Sequence, residues 1–309
     1  MGAEVGPAPV DPKPVRLSVV IASNRELDLL DACLRSIEPQ CRTLGGELIV
    51  SRAGTPDEVE ALSRSRPGAR FVVAPPDADI PVLRGIGLAA AHGALVALTE
   101  DHCVAGDGWL QALVDAAAGG ADVVGGGMGN ARRERAIDCA AYFAEYGFFD
   151  CGRSDASEGA ALLTGANVAY ARSVVGDVAS WALRGEWENV AHQRLAARGA
   201  RLRFVPDARI LQNKQYGLAS FCRDRYRHGF AYARKRLAEE RGVNRWGQLI
   251  KSAVLPLVLT WRVAGAAGRR DGWSFMRALP ATFVFLGAWS LGEAAGYLEG
   301  PAVSPAKDG

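Results

Sequence analysis

Short apolar segments with the character of strands alternate with amphipathic helical segments along the first hundred residues. Four runs rich in Val, Ile and Leu, at 16–23, 47–51, 70–74 and 94–99, are separated by stretches with apolar residues at helical spacing. Because this alternation is typical of parallel sheets, it predicts an open, mainly parallel α/β sheet flanked by helices. Ligands of such sheets bind at the carboxyl ends of the strands. The first places to search for a site are therefore 23–26, 51–54 and 99–102.

The helical segments carry start signals that support this arrangement. Thr55, Pro56 and Glu58 have the spacing of a capping box with proline in the first turn, which predicts a helix N-terminus. Further elements are predicted downstream, namely strands over 122–127, within 162–170 and over 201–206, and helices over 82–92 and 190–199. We therefore expect one large α/β domain over 15–220.

Charge and cysteine content exclude several classes of protein. Lys and Arg number 36 against 34 Asp and Glu, a net charge of +2. This balance excludes a basic nucleic-acid coat and an acidic disordered chain, so no nucleic-acid partner is expected. The glycine-rich segments at 85–93 and 125–129 lack the strand, G-x-G-x-x-G and helix order of a dinucleotide site. Six cysteines without any C-x-x-C spacing predict reduced thiols.

The N-terminal segment 1–14 contains four prolines and no apolar core. It therefore lacks the features of a secretory signal peptide. We interpret it as a flexible lead-in and expect a cytoplasmic protein.

Four segments carry recognisable motifs, namely the strand and turn 17–25, the helix 82–93, the acidic turn with its following Trp-Leu at 97–110, and the block 185–199 followed by 204–208. Together they resemble the inverting family 2 glycosyltransferases, which have the GT-A fold. Each segment alone is a weak signal, but their order and spacing over roughly residues 16–230 make a specific one. The resemblance implies a GT-A fold and transfer of a sugar from a nucleotide-diphosphate donor to an acceptor hydroxyl.

The resemblance implies that the donor diphosphate lies beside Glu100, Asp101 and His102, directly after the fourth strand. A divalent cation held there would neutralise the negative charge that builds on the leaving oxygen. Mg²⁺ or Mn²⁺ prefers one or two carboxylates together with phosphate oxygens. We therefore assign Asp101 and His102 as candidate metal ligands and Glu100 as a donor-binding residue. Thr99 stands where the family has the first Asp of its Asp-x-Asp motif, and a simple solvated turn is the alternative interpretation.

Inversion by direct displacement needs a general base that takes the proton of the acceptor hydroxyl. The resemblance implies that this base lies in the segment 186–188. By register against the following Arg194-Leu195, Glu188 falls on the family's catalytic Asp, and Glu186 is the second candidate. Trp187 offers an apolar face to a sugar or lipid acceptor. The alternative is a pair of carboxylates favoured only by a helix N-terminus.

The nucleotide contacts implied by the resemblance follow the first three strands, and the candidates are Ser23, Asn24, Arg25, Arg52 and Arg84. The family has an Asp pair where this chain has Ser51 and Arg52. Arginine cannot accept a hydrogen bond from uracil N3–H, so the donor base stays open. Arg84 stands at the position of the family's Arg and would bind the diphosphate. The alternative is that Arg84 is an ordinary surface residue. Gly85 replaces the family's Asn beside it.

The character of the chain changes near residue 220. Between 221 and 241 there are seven Lys or Arg against three acidic residues, a local net charge of +4. Two interpretations remain open for this segment. It is either a lid over the donor or a cationic surface against anionic lipid headgroups.

Two apolar stretches follow, at 249–268 and 278–298. The uncharged part of the first is too short to span a bilayer, and Glu293 interrupts the second. Arginines between the two stretches oppose a two-span hairpin under the positive-inside rule. We therefore expect 221–309 to be a helical, membrane-associated extension whose helices lie in the interface, with four tryptophans at headgroup depth: Trp246, Trp261, Trp273 and Trp289. One true span and a soluble homodimer interface are the alternatives.

These assignments predict an inverting glycosyltransferase on the inner face of the plasma membrane, with a glycan or lipid-linked acceptor. Two other classes fit part of the same pattern. One is a non-catalytic binding or scaffold protein with a GT-A fold, and the other is a nucleotidyltransferase, which would release pyrophosphate.

Overall fold

The computed structural model describes residues 17–24, 26–149, 163–239, 242–267 and 271–301. The strands are β1 (Leu17–Ser23), β2 (Glu47–Ala53), β3 (Arg70–Ala74), β4 (Leu95–Glu100), β5 (Cys103–Ala105), β6 (Val123–Asn130), β7 (Asn167–Ala171) and β8 (Leu202–Gln212). The helices are α1 (Leu27–Thr43), α2 (Pro56–Ser65), α3 (Ile80–Ala90), α4 (Trp109–Ala118), α5 (Ala136–Tyr146), α6 (Arg172–Leu183), α7 (Glu188–Ala197), α8 (Leu218–Glu239), α9 (Arg245–Ala267) and α10 (Gly272–Glu299). A 3₁₀ turn, Gly147–Phe149, follows α5.

The eight strands form one sheet in the order β3-β2-β1-β4-β7-β6-β8-β5. The neighbours β3, β2, β1 and β4 are parallel, β7 is antiparallel to both β4 and β6, and β8 is parallel to β6. The carboxyl ends of β1, β2, β4, β6 and β8 therefore meet at one edge. In sheets of this kind, that edge is where ligands bind.

The predicted α/β class with a mainly parallel sheet is confirmed. The capping box also forms, because the Thr55 side chain accepts from the Glu58 N–H and the Glu58 carboxylate accepts from the Thr55 N–H. The strand predicted at 201–206 is longer in the structure, where β8 continues to Gln212. A register shift opposite Gly126 and Gly127 moves the pairing past Pro206, which has no N–H to donate to a ladder.

Asn167, at the start of β7, is a buried polar link at the centre of the sheet. Its amide nitrogen donates to the carbonyls of Gly127 and Ala208, at 2.9 and 2.8 Å. Its amide oxygen accepts from the Trp109 indole at 2.8 Å. Because the side chain is fully buried, these bonds satisfy groups that could not otherwise find a partner. They fix β7 to β6 and β8 and so align the strand ends.

The C-terminal helices pack onto the α/β domain through α10. The rings of Phe143 on α5 and Phe275 on α10 meet edge to face, with centroids 5.2 Å apart. The backbones of α8 and α10 lie so close that a Cβ at Gly229 would overlap the Trp289 carbonyl and one at Gly292 would overlap the Tyr226 carbonyl. The hydrophobic core is continuous from the sheet into α10. The division at residue 220 stays a prediction.

By length and composition, one helix of the described chain, α10, could cross a membrane, and 39% of its most apolar window is buried within the protein. Glu293, which interrupts the apolar pattern, is itself buried and accepts from the Ser252 hydroxyl of α9 at 2.8 Å. Burial raises the pKa of Glu293. The cysteines in the described part of the chain, at 33, 41, 103, 139 and 222, carry free thiols. Cys151 lies outside the described residues.

A buried histidine predicts how stability depends on pH. His192 on α7 is 4% exposed, and its Nε2 lies 2.9 Å from the Tyr170 hydroxyl. Burial lowers the pKa of His192 to about 4, whereas the unfolded chain has the ordinary value near 6.5. The unfolded state therefore binds the proton first as pH falls, and the native state loses stability between pH 6.5 and 4. We expect a loss of about 2 kcal/mol at pH 5 relative to pH 7.5.

Urea unfolding of the wild type and His192→Gln at the two pH values measures this effect. The variant lacks the titrating ring, so its stability should fall less on acidification. Equal losses in the two proteins would contradict the assignment.

Candidate active site

Asp101, the residue after β4, ties together the carboxyl ends of β1 and β4. Its N–H donates to the Ala22 carbonyl, and its Oδ2 accepts from the Ser23 hydroxyl and the Asn24 N–H, each at 2.9 Å. The Arg52 guanidinium lies 2.9 Å from the Ser23 hydroxyl and 3.7 Å from Asp101 Oδ2. The structure thus brings four sequence-predicted residues into one cluster. Arg25, the fifth, lies outside the described residues.

Arg84 forms the second half of the site. It extends from α3 between two carboxylates, with 2.5 Å to Glu100 Oε1 and 2.6 Å to Glu188 Oε2. The guanidinium is 5% exposed, and its Nε has no hydrogen-bond partner in the described protein. A side chain at Gly165 would overlap it. Burial alone would lower the pKa of Arg84, but Glu188 and Glu100 outweigh burial and raise it. The acidic turn and the predicted base therefore share one buried cation.

Glu188 is the first residue of α7, where the unpaired N–H groups of a helix favour a negative charge. One carboxylate oxygen accepts from the Gly165 N–H at 3.0 Å, and the other pairs with Arg84. Burial raises the pKa of Glu188, but Arg84 and the Gly165 N–H outweigh burial and lower it. The side chain keeps 18% of its surface exposed. Glu188 is thus a mostly buried carboxylate whose ionised form is favoured by Arg84 and the Gly165 N–H.

Glu186 and Trp187, the two residues before Glu188, have different surroundings. Glu186, the second candidate base, pairs with Arg184 and Arg194 rather than with Arg84. Trp187 is 37% exposed, and the Arg84 guanidinium lies 5.8 Å from its ring centroid. The His228 ring of α8 meets Trp187 edge on, with centroids 5.8 Å apart. Helix α8 therefore forms a wall of the site. The sequence pattern singled out the segment 221–241 as a candidate lid but did not point to His228 as a site residue.

His102 lies beside the acidic pair and is 5% exposed. Its Nδ1 is buried without a hydrogen-bond partner, 3.5 Å from Glu100 Oε2 and 3.8 Å from Asp101 Oδ1. Its Nε2 lies 3.3 Å from the Tyr146 hydroxyl at the end of α5. Burial lowers the pKa of His102, but Cys103 and the Asp101 and Glu100 carboxylates outweigh burial and raise it. No sequence motif pointed to Tyr146, because α5 shows only a core pattern.

The described residues hold no group of three or more His, Cys, Asp or Glu side chains arranged for a metal ion. Asp101 and His102 can still supply one oxygen and one nitrogen. Two atoms that each lie about 2.1 Å from one octahedral cation are separated by about 3.0 Å when adjacent and by about 4.2 Å when opposite. The 3.8 Å between His102 Nδ1 and Asp101 Oδ1 lies between these two values, and Nδ1 has no hydrogen-bond partner. The donor set therefore fits Mg²⁺ or Mn²⁺ that takes its remaining ligands from a substrate.

Three departures from the family pattern have packing roles here. The Thr99 hydroxyl donates to the Ala166 carbonyl at 2.8 Å, and the Ser51 hydroxyl donates to the Leu83 carbonyl at 2.7 Å. Both side chains are fully buried. At Gly85, a Cβ would lie 2.7 Å from the Leu183 backbone nitrogen. Glycine is therefore needed for the close approach of α3 to the end of α6.

Restoring the family's asparagine at position 85 should therefore destabilise this protein. We expect Gly85→Asn to cost about 1–3 kcal/mol of unfolding free energy, because the obstructing atom belongs to the backbone. Ala89→Asn, on the exposed face of the same helix, is the matched control and should cost less than about 1 kcal/mol. Thermal or urea unfolding measures both, and equal effects would mean that close packing does not explain the glycine.

Comparisons with known proteins agree with this architecture. The family model "Glycosyl transferase family 2" matches residues 18–177. No curated protein matches the chain significantly. Among solved structures, the mannosyltransferase PcManGT from Pyrobaculum calidifontis, in complex with GDP-Man and Mn²⁺, shares 17% identity and a TM-score of 0.54 over 95% of this chain and 90% of that one.

A second solved structure, glucosyl-3-phosphoglycerate synthase from Mycobacterium tuberculosis in complex with phosphoglyceric acid, shares 20% identity over 52% of this chain and 58% of that one, with a TM-score of 0.37. The likeness to PcManGT supports the GT-A fold, and the family match covers more than half of the sequence. This chain belongs to glycosyl transferase family 2.

Proposed function

We propose that this protein is an inverting glycosyltransferase that moves a sugar from a nucleotide-diphosphate donor to an acceptor hydroxyl. The observation that carries the proposal is the buried Arg84, which joins Glu100 of the acidic turn to Glu188 at the ligand-binding edge of the sheet. A site for displacement at a sugar needs positive charge for the leaving diphosphate and a carboxylate for the incoming hydroxyl. Arg84 and Glu188 supply these two functions within one hydrogen bond of each other.

The nucleotide half of the site is the cluster at the ends of β1 and β2. Ser23, Asn24 and Arg52 gather around Asp101 and present hydroxyl, amide and guanidinium groups. Arg52 offers only donors, so it suits a phosphate or a base carbonyl rather than uracil N3–H. Asp101 and His102 would hold Mg²⁺ or Mn²⁺, which when bound neutralises charge on the diphosphate.

In the proposed step, the acceptor oxygen forms a bond to the anomeric carbon while the bond to the diphosphate breaks. The electron pair of that bond leaves with the nucleoside diphosphate, and the hydroxyl proton moves to Glu188. Glu188 is a weak base while Arg84 pairs with it, since the ion pair lowers its pKa. We infer that the arriving diphosphate competes for Arg84 and so frees Glu188. This order would have the donor bind before the acceptor reacts.

Replacing the base separates catalysis from donor binding. Glu188→Gln should reduce sugar transfer by about 100-fold or more, the usual contribution of general base catalysis. The same variant should bind the donor nucleotide at least as tightly as the wild type, because Arg84 loses a competing carboxylate. Glu186→Gln is the matched control and should retain both properties. Transfer assays and calorimetric titration measure the two effects.

Full activity of Glu188→Gln would remove Glu188 from the mechanism. Weaker nucleotide binding by that variant would instead mean that Glu188 serves to position Arg84.

Nucleotide preference and metal use are open to a direct test. A ligand that binds only the folded state raises its melting temperature, so a panel of GDP, UDP, ADP and CDP with and without Mn²⁺ should identify the donor base. We expect at least one of them to raise the melting temperature, and by more with Mn²⁺ than with EDTA. Product analysis separates the classes: a transferase releases a nucleoside diphosphate, a nucleotidyltransferase releases pyrophosphate, and a scaffold releases neither.

We also propose that the protein docks on the cytosolic membrane face through α9 and takes a lipid-linked or cell-envelope acceptor. In the described part of α9, the buried residues are Ser252 and Val263. Its large apolar side chains form an exposed stripe at helical spacing, namely Trp246, Ile250, Val254, Leu257, Val258 and Trp261. Arg245, Lys251 and Arg262 flank the stripe, as suits anionic headgroups. Trp273 is also exposed, whereas Trp289 packs against Tyr232.

The packing of the C-terminal helices supports an interfacial location rather than a span. Helix α10 contacts α5 of the catalytic domain through Phe275, so it cannot enter the bilayer alone without losing that contact. The end of α9 lies beside the site, because Val263 packs on Gly147 and Arg262 lies over Phe148, directly after Tyr146. An acceptor carried in the membrane would therefore have a short path to the site.

Co-sedimentation with vesicles tests the membrane proposal. The wild type should pellet with phosphatidylcholine vesicles that contain phosphatidylglycerol, and the double variant Leu257→Ser/Trp261→Ser should remain in the supernatant because the apolar stripe is broken. Val73→Ser, at an exposed apolar position on β3, is the matched control and should bind as the wild type does. A wild type that ignores vesicles but forms dimers would overturn docking and assign the stripe to a second copy.

A further inference from the structure

We propose that Tyr146 is a positioning residue that holds the His102 ring so that Nδ1 faces Asp101 as a ligand for a divalent cation. The inference rests on the proposed function, because it concerns how the candidate cation site is built. Tyr146 lies on α5, far in sequence from the acidic turn.

The contact between Tyr146 and His102 determines which ring nitrogen of His102 faces the carboxylates. The Tyr146 hydroxyl lies 3.3 Å from His102 Nε2, so this nitrogen has a partner on the side away from the carboxylates. The opposite nitrogen, Nδ1, is buried and has no hydrogen-bond partner. A buried polar atom without a partner is costly, and each one in a native protein needs an explanation.

The surroundings of Nδ1 explain that cost. Its distances to Glu100 Oε2 and Asp101 Oδ1, 3.5 and 3.8 Å, are too long for hydrogen bonds. Both distances lie between about 3.0 Å, expected for adjacent ligands of an octahedral cation, and about 4.2 Å, expected for opposite ligands. Glu100 is already paired with Arg84 through its other oxygen, whereas Asp101 uses Oδ2 for Ser23 and Asn24. Nδ1 thus faces the second oxygen of each carboxylate, and Asp101 Oδ1 is the one that we assign to share the cation with it.

Histidine ligands of metals are usually fixed by a partner on the other ring nitrogen, and loss of that partner weakens metal binding about 10- to 100-fold. The last turn of α5, which carries Tyr146, is itself held in place by polar contacts. Glu145 accepts from the Tyr216 hydroxyl at 3.1 Å and lies 4.0 Å from the Arg225 guanidinium of α8. Tyr146 is thus held by a polar network that joins α5, α8 and the segment after β8.

The test uses Mn²⁺ alone as the probe and the electron paramagnetic resonance signal of free Mn²⁺ as the readout. Tyr146→Phe should weaken Mn²⁺ binding about 10-fold or more, because the ring loses its anchor. Tyr142→Phe is the matched control: its hydroxyl is also on α5 and donates to the Met128 carbonyl at 2.9 Å, away from His102. The control should bind Mn²⁺ as the wild type does. Should Tyr146→Phe fail to fold, Tyr146→Met serves the same purpose.

Two further measurements separate positioning from general structure. Electron spin-echo modulation of Mn²⁺ bound to the wild type should show a directly bound imidazole nitrogen, and His102→Gln should remove it. Nucleotide binding in EDTA should be the same for Tyr146→Phe and the wild type. Unchanged Mn²⁺ affinity in Tyr146→Phe, absent nitrogen modulation, or a wild type that does not bind Mn²⁺ would overturn the inference. Sugar transfer in the presence of EDTA would then show whether the proposed activity stands without it.

Discussion

The site depends on one buried cation shared by two carboxylates. Arg84 is almost fully enclosed, so its charge is tolerable only because Glu100 and Glu188 are within hydrogen-bond distance. The carboxylates depend on Arg84 in turn, because burying either charge without the guanidinium would destabilise the fold. The interaction joins α3, the end of β4 and the start of α7, which lie on different connections of the sheet. Gly165 completes it, because a side chain there would occupy the space of the guanidinium, and its N–H holds Glu188.

The sequence predicted the sheet and the acidic turn well because both depend on local patterns. Runs of Val, Ile and Leu identify buried strands, and the residue that follows a strand lies at the ligand edge. Asp101 was singled out in this way, whereas Arg84, which lies inside α3, was assigned only through the family resemblance. The choice between Glu186 and Glu188 depends on their ion-pair partners. Glu186 pairs with the nearby Arg194, whereas Glu188 pairs with Arg84, which lies far away in the sequence. Tyr146 and His228 could not be assigned from sequence, because helical periodicity gives the face of a helix but not its neighbour.

The departures from the family pattern fall mainly among the residues that we propose to bind the nucleotide, and fewer fall among those that we propose for the reaction. Thr99 and Ser51 use their hydroxyls on backbone carbonyls inside the core, so neither is available to a ligand. The charge that the family's Asp pair would supply is replaced by Arg52, which turns toward Asp101 and Ser23. Replacing acid by base next to Asp101 lowers the net negative charge of the cluster. This favours a ligand that is itself an anion, as a diphosphate is.

Helix α8 links the candidate base segment to the helices that we propose to dock on a membrane. On one side, His228 lies against Trp187 and the Lys235 ammonium donates to the Gly185 carbonyl at 3.3 Å. On the other, Gly229 meets the backbone of α10, where any side chain would overlap the Trp289 carbonyl. Close backbone packing leaves little room for one helix to move without the other. Because the Ser252 hydroxyl of α9 is bonded to Glu293 of α10, a shift of α9 on the proposed docking would be transmitted through α10 and α8 to the segment that carries Glu188.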